Sequence, residues 1–271
     1  MLTLDPKELE IPKLHRYLLG AIGPRPIAFA STIDENGVAN LSPFSFFNVF
    51  SANPPIMVFS PARSGRTGAT KNTLDNVKAV KEVVINVVNH NIVQQMSLSS
   101  SPYDATIDEF VKAGLTPVKS DKIKPFRVKE SPVQFECKVN EIVELGQGGG
   151  AGNLVICEVV KIHINKAVLD NNGMIDQHKI DLVSRMGGNW YCRADKNSMF
   201  EIQKPITTIG IGVDQIPEDI RNSSILTGND LGLLGSVEVI PIHEGTTDKH
   251  QEAKNLLAKG KVEEAWKVLL N

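Results

Sequence analysis

Between residues 60 and 73 the chain reads Ser60-Pro61-Ala62-Arg63-Ser64-Gly65-Arg66-Thr67-Gly68-Ala69-Thr70-Lys71-Asn72-Thr73. Three cations (Arg63, Arg66, Lys71), five hydroxyls and two glycines stand here without a single acid. The stretch leads from an apolar, strand-like run into a helical pattern. Unpaired backbone N–H groups at a helix start favour an anion, and Lys or Arg adds charge-assisted hydrogen bonds. Such a set suits a phosphate. It is not a Walker A loop, because the position that needs glycine is Thr70 and Lys71 precedes Asn72 rather than Ser or Thr. A solvated basic loop whose Thr70 or Asn72 caps the helix fits the same residues.

A second stretch, Asn40 to Ser51, crowds four of the ten phenylalanines (Phe44, Phe46, Phe47, Phe50) among small polar residues. A planar heteroaromatic ligand needs apolar faces and a few fixed donors and acceptors at its edge. The Asn48 amide both donates and accepts, so it can serve a ring carbonyl and an imide N–H together. Buried core is the alternative for these aromatics. In Met186-Gly187-Gly188-Asn189-Trp190-Tyr191, adjacent glycines let backbone approach a ligand while Trp190 and Tyr191 form a wall or a subunit contact. A tight turn followed by a packed aromatic pair explains it equally.

Other chemistries lack their residues. His15, His90, His163, His178, His243 and His250 are scattered and form no HExxH, and no metal site is expected. There is no GxSxG elbow. Gly210-Ile211-Gly212-Val213 begins a GxGxxG, but position 215 is Gln215; the Gly146–Gly152 run leads into a strand-like segment instead of a helix. No catalytic acid or base is assigned. A cofactor that carries the chemistry asks of the protein only binding, orientation and tuning.

The elements that must position these residues follow from periodicity. Leu14, Tyr17, Leu18 and Ala21 have helical spacing, closed by Gly23-Pro24. Pro26 to Thr32 and Val38 to Ser42 read as a hairpin around Asp34-Glu35-Asn36-Gly37. Ile56 to Ser60 is a third strand. A helix from Asn72 to Lys81 turns Leu74, Val77 and Val80 inward, and Glu82 to Val88 is rich in β-branched residues. Asn91 to Gly114 is helical but interrupted. Val133 to Leu145 and Leu154 to Ile164 are long strands around a flexible glycine-rich tip, and Val168 to Met174 resembles a strand and turn. Early strands, one crossover helix and late long strands predict a mainly β domain with α elements: a closed or split antiparallel barrel with rim helices, over residues 1–204. Residues 205–271 form a mostly helical C-terminal extension. Thr227-Gly228-Asn229-Asp230 opens a short helix there, and Gln251 to Leu270 is a helical hairpin broken at Gly260, with Val262, Ala265, Trp266 and Leu269 on one face.

Composition narrows the class. The 271 residues balance 29 Lys+Arg against 31 Asp+Glu, for a formal net charge of −2. Nucleic-acid binders usually carry a marked basic excess, so none is expected as partner. No apolar run reaches the ~18 residues that span a bilayer, and the opening residues, with Asp5, Lys7, Glu8 and Glu10, lack the apolar segment expected of a secretory signal. Cys137, Cys157 and Cys192 give an odd count without a CxxC pair, which fits reduced thiols in a cytoplasmic protein.

Taken in order, several segments resemble the flavin reductase-like family, which includes flavoredoxins and the reductase components of two-component flavin monooxygenases. They are Pro24-Arg25-Pro26-Ile27-Ala28 with Ser31-Thr32, Asn40…Ser42-Pro43-Phe44-Ser45-Phe46-Phe47-Asn48, and Lys71-Asn72-Thr73. The likeness continues through Ala113 to Pro117, Glu130-Ser131-Pro132, Leu154 to Val160 and Gly187 to Tyr191, and covers residues 10–200. It implies an FMN-binding split barrel, usually a homodimer with flavin near the subunit interface, and reduction of flavin by NADH or NADPH. Carried over by position, Ser45, Phe46, Phe47 and Asn48 surround the ring. Ser60, Arg66, Lys71 and Thr73 hold the phosphate, and Trp190 or Tyr191 lies near the ring or across the dimer. FMN over FAD rests on the resemblance; the loop chemistry suits either. Asn72 stands where many relatives have Asp and is expected still to cap the helix. Joined to the resemblance, the loop chemistry favours the phosphate reading of 60–73 and the flavin reading of 45–48. The expected activity is an NAD(P)H:flavin reductase. The alternatives are a flavoredoxin-like electron carrier between proteins, with a monooxygenase or electron-transfer protein as partner, and a flavin-binding module without turnover. For residues 205–271 the resemblance implies nothing.

Overall fold

The computed structural model describes residues 1–241 and 250–270; His243 and Asn271 fall outside them. The chain divides into two compact units, Met1–Phe200 and Glu201–Asn271.

The first unit opens with helix α1 (Ile11–Ala21) and contains eleven strands: β1 (Ala28–Ile33), β2 (Ala39–Phe44), β3 (Phe47–Ala52), β4 (Pro55–Phe59), β5 (Glu82–Val87), β6 (Pro117–Val118), β7 (Arg127–Val128), β8 (Val133–Glu144), β9 (Asn153–Ile164), β10 (Val183–Arg185) and β11 (Tyr191–Arg193). Helices α2 (Asn72–Val80), α3 (Val93–Ser99), α4 (Glu109–Ala113) and α5 (Gln177–Ile180) interrupt them. Seven strands form one antiparallel sheet in the order β2-β1-β5-β8-β9-β4-β3. Its two edge strands are consecutive in the chain and are separated only by Ser45 and Phe46. A sheet whose first and last strands are joined by two residues must roll up until its edges come close, yet β2 and β3 do not pair. The result is a barrel that stays open between β2 and β3.

Inward positions are small where α2 enters: Ala28 and Ala30 of β1 share the interior with Phe44, Met57, Phe59, Val83, Ile85, Cys137, Val155 and Cys157, and α2 contributes Leu74 and Val77. The rings of Phe44 and Phe59 meet with centroids 5.6 Å apart. Strand β1 is buried on both faces, and its alternate residue Phe29 packs outward with Leu41, Met96 and Phe110 under α3 and α4. Period-2 alternation explains how one strand serves two cores.

Three expectations change. The stretch between the expected strands Val38 to Ser42 and Ile56 to Ser60 contains a further strand: it holds the end of β2, up to Phe44, and all of β3, Phe47–Ala52. Val168 to Met174 is not a strand: a 3-10 turn over Lys166–Val168 is followed by an Asx turn in which Asp170 Oδ1 accepts from Asn172 and Met174 N–H (2.8 and 2.9 Å). Asn72 does not cap α2. The N-cap position is Lys71, in extended conformation and without a side-chain cap, while the Thr70 hydroxyl is diverted to Asp75.

The regular elements of the second unit are helical among the described residues: a 3-10 turn at Val213–Gln215, α6 (Glu218–Arg221), α7 (Gly228–Leu234), α8 (His250–Leu257) and α9 (Val262–Leu270). Thr227 and Asp230 form a capping box at α7. Gly260, at φ +71°, makes the turn between α8 and α9. Trp266 is buried among Ile216, Ile220, Leu234 and Leu257, and its indole N–H donates to the Leu234 carbonyl at 3.1 Å. Val262 and Leu269 are partly buried against the same core. No helix of the described residues is long and apolar enough to cross a membrane.

Candidate functional site

The 60–73 loop begins where β4 ends, and its first backbone group ties it to the aromatic stretch: Ser60 N–H donates to the Phe46 carbonyl at 2.8 Å. The register Phe47↔Phe59 and Asn48↔Val58 continues that pairing. Ser45–Asn48 and the start of the loop are therefore one place in the fold. The Ser60 hydroxyl is buried and accepts from Asn153 N–H (3.0 Å), and the Asn153 amide donates to the Pro61 carbonyl (2.7 Å). Asn153 Oδ1 is buried without a partner.

Of the three loop cations, Arg63 has a structural task. Its guanidinium donates to Glu144 and Gln147 at 2.9 Å, and its backbone exchanges hydrogen bonds with Ala151 and Gly150. Lys78 of α2 closes on the same Glu144, and these donors (Lys78 first, then Arg63 and Gln147) hold the Glu144 carboxyl down at about 2. Together they staple the loop to the glycine-rich tip between β8 and β9. The glycines are needed for contact there: a Cβ on Gly149 would lie 2.9 Å from the Gly65 carbonyl oxygen, and one on Gly152 would lie 3.0 Å from the Ser60 hydroxyl.

Arg66 and Lys71 remain exposed, and their side chains have no hydrogen-bond or ion-pair partner among the described residues. They stand beside the uncapped start of α2. Thr73, on the first turn, is buried, and its hydroxyl accepts from the Asn40 amide at 2.9 Å, keeping its own proton to donate. Thr32 completes the brace by accepting from Asn76 (3.0 Å) and Asn40 (3.4 Å).

The aromatic stretch is more open than a core. Phe46 and Asn48 are exposed and Phe47 is half-buried. Phe46 meets His15 of α1 edge-on at 6.4 Å. Asn48 Oδ1 accepts from the next backbone N–H at 2.8 Å, leaving its amide NH2 outward.

Trp190 and Tyr191 do not form a packed pair. Trp190 is 77% exposed, and the Tyr191 ring is covered by the Arg185 guanidinium at 4.7 Å. Both belong to the β10–β11 hairpin, whose Met186–Trp190 turn is held by Arg25, a residue the spacing analysis did not single out. Arg25 is 6% exposed. It donates to the carbonyls of Leu19 (3.0 Å), Ile22 and Met186 (2.9 Å), and it faces the Ser45 hydroxyl at 3.4 Å. Burial, followed by the nearby charge of Arg185, lowers its pKa. A cleft of about 470 Å³ brings Ser45 and Tyr191 together with Arg185, Asn189 and the α3 residues Gln94 and Ser97.

A seven-stranded antiparallel sheet rolled up and left open between its edge strands, with an acid-free basic loop beside the opening, is a split barrel. The chain belongs to the flavin reductase like domain family, whose model matches residues 21–181. It is similar to the structure of nitrilotriacetate monooxygenase component B from Bacillus cereus, at TM-score 0.69 and 29% identity over 74% of this chain and 98% of that one. A split-barrel-domain structure from Shewanella frigidimarina gives TM-score 0.62 and 27% identity over 73% and 96%. An uncharacterised protein of Aquifex aeolicus is 35% identical over 189 residues, 69% of this chain and 93% of the relative. The match to the family stops short of the second unit.

Proposed function

We propose that this chain is an FMN-dependent oxidoreductase of the NAD(P)H:flavin reductase type. The observation that carries the proposal is the junction at Phe46 and Ser60, where an exposed aromatic strand meets a loop with two unengaged cations and an uncapped helix start. The donor set fits a flavin. Phe46, Phe47 and the outward Asn48 amide would hold the ring and Ser45 its edge, while Arg66, Lys71 and the proton-bearing hydroxyls of Ser60 and Thr73 would hold the phosphate, with Arg63 fixing the loop's shape. When bound, flavin supplies the acceptor for a hydride from NADH or NADPH. The chain's own part is alignment and exclusion of water, so no acid or base is required of it. FMN, with one phosphate, matches the two open cations of the 60–73 loop, Arg66 and Lys71.

The oligomer in this proposal is a homodimer, because the outer edge of β3 is apolar and open. The partner is an oxygenase or electron-transfer protein that takes the reduced flavin, in keeping with the likeness to component B of nitrilotriacetate monooxygenase. The buried thiols of Cys137 and Cys157 suit a cytoplasmic location. Trp190 and Tyr191 would border the ring or reach across the dimer.

Purified protein is expected to bind FMN and to oxidise NADH or NADPH only when flavin is present. Lys71→Ala should weaken FMN binding by about 1–3 kcal/mol, the range for hydrogen bonds to charged groups, without lowering thermal stability. It is a cleaner probe than Thr73→Ala, which also removes the Asn40 brace. Protein that binds FMN but is inert to both nicotinamides, and is reduced by a small electron-transfer protein, is a carrier instead. Unchanged FMN affinity in Lys71→Ala and Arg66→Ala would refute the phosphate assignment.

A further inference from the structure

The cleft beside Ser45 continues past Tyr191 into a second hollow of about 280 Å³ that reaches His90 and Arg193, so the two make one groove between α3 and the β10–β11 hairpin. No carboxylate lines it. Arg193 is already clamped by both oxygens of Asp181, at 2.7 and 2.8 Å. Arg185 is different: it spends one N–H on the Trp190 carbonyl (3.0 Å), lies over Tyr191, and has no acidic partner among the described residues. Behind it sits Arg25, buried and bonded only to neutral oxygens. One guanidinium at the wall of a polar groove and a second buried behind it, neither with a counter-ion among the described residues, leave uncompensated positive charge, which a bound anion would neutralise. Gln94, Ser97 and Asn189 add neutral hydrogen-bonding groups suited to ribose hydroxyls.

We propose that this groove is a second nucleotide seat, separate from the 60–73 loop, which holds the diphosphate of the nicotinamide donor against Arg185. Arg25 acts as a positioning residue that fixes the hairpin. The assignment rests on the flavin reading for its geometry: the groove opens at Ser45, so a dinucleotide laid along it would end at the Phe46–Asn48 strand. Its volume lies in the range of small-molecule sites.

The test uses ADP-ribose, which carries the diphosphate and ribose but no redox ring, titrated calorimetrically into flavin-free full-length protein; FMN is titrated separately. Arg185→Gln should weaken ADP-ribose binding at least about tenfold, as expected for loss of a charge-assisted contact, and leave FMN affinity intact. Ser97→Tyr, on the exposed face of α3, should block the groove without touching the hairpin. It guards against an Arg185→Gln variant that fails to fold, as does a thermal melt of each protein. Binding of ADP-ribose unaffected by both variants, or no binding to the parent protein, overturns the proposal. So does a loss of FMN affinity in either variant, which would give the groove to the flavin. Failure of the parent protein to bind FMN would instead sink the flavin reductase reading, with the ADP-ribose titration still judging the groove.

Discussion

Glu136 has no exposed surface, yet its carboxylate is fully engaged: it accepts from the backbone N–H groups of Asp121 (2.8 Å) and Lys122 (2.7 Å) and faces His163 Nε2 at 2.7 Å, with Arg127 3.9 Å away. Asp121, Glu136 and His163 bring one ligand atom each within 4.8 Å of one another, but the donors around Glu136 already take both of its oxygens, and the cluster reads as a brace between the 119–125 loop and the sheet. Burial pushes the Glu136 pKa up; the two backbone donors and His163 outweigh it, and the net shift is below the ordinary 4.5. A carboxyl depressed in the folded state adds stability that is present above its unfolded pKa and is lost as pH falls through the folded one. Glu136→Gln should therefore cost about 1–3 kcal/mol at neutral pH. Melting curves of the two proteins should converge as pH falls below the ordinary 4.5 and on through the depressed folded-state value. A constant difference in melting temperature from pH 7 to pH 3 would show that packing, not charge, is what the variant loses. Glu109 is the opposite case: buried at the start of α4 and accepting from Leu41 N–H at 3.0 Å, its carboxyl is raised by burial.

At the scale of elements, the loop and the β8–β9 tip form one unit because two backbones touch at Gly149 and Gly65. Gly149→Ala puts a methyl group 2.9 Å from a carbonyl oxygen, and backbone on both sides must shift. We expect a loss of about 1–3 kcal/mol in stability from the overpacking and a parallel fall in FMN affinity, read by melts and flavin titration. A stable protein with normal flavin binding would mean that the tip does not shape the loop. What could be read from the sequence follows the same lines. Strands β1, β4, β5, β8 and β9 and helix α2 announced themselves through alternation, β-branched runs and helical spacing, because each buries a face. Strand β3 did not: an edge strand with Asn48, Val49, Phe50 and Ser51 mostly in the open has no polar–apolar alternation to read. The chemistry of the 60–73 loop was legible because it is contiguous. The groove was not, since Arg25, Ser97 and Arg185 come from elements up to 160 positions apart, and spacing carries no information over that range. The cap at α2 was misassigned by one residue, because Thr70 prefers the Asp75 carboxylate to the helix start.

For the molecule as a whole, the open side of β3 is the outstanding liability. Val49 is 56% and Phe50 67% exposed on the last strand of the sheet, with no Lys or Pro within the strand to blunt it. Helix α1 buries none of its residues, leaves Ile11, Tyr17 and Leu18 exposed, and reaches the same region through the His15–Phe46 contact. Neighbouring apolar surfaces of this kind mark an interaction site. We propose a second copy of the chain as its occupant, since a twofold contact would cover both edges at once and add a wall to the strand proposed to hold flavin. The 29.6 kDa chain should therefore elute as a dimer at micromolar concentration. Phe50→Glu would place a carboxylate in the centre of that contact; burying it unpaired should cost several kcal/mol and yield a folded monomer. Because Phe46 to Asn48 lie on the same strand, the monomer should also bind FMN more weakly than the parent. If the unmodified protein is itself monomeric by sedimentation, or if Phe50→Glu stays dimeric with full flavin affinity, β3 is not the interface, and the wall of the flavin site must be sought within a single chain.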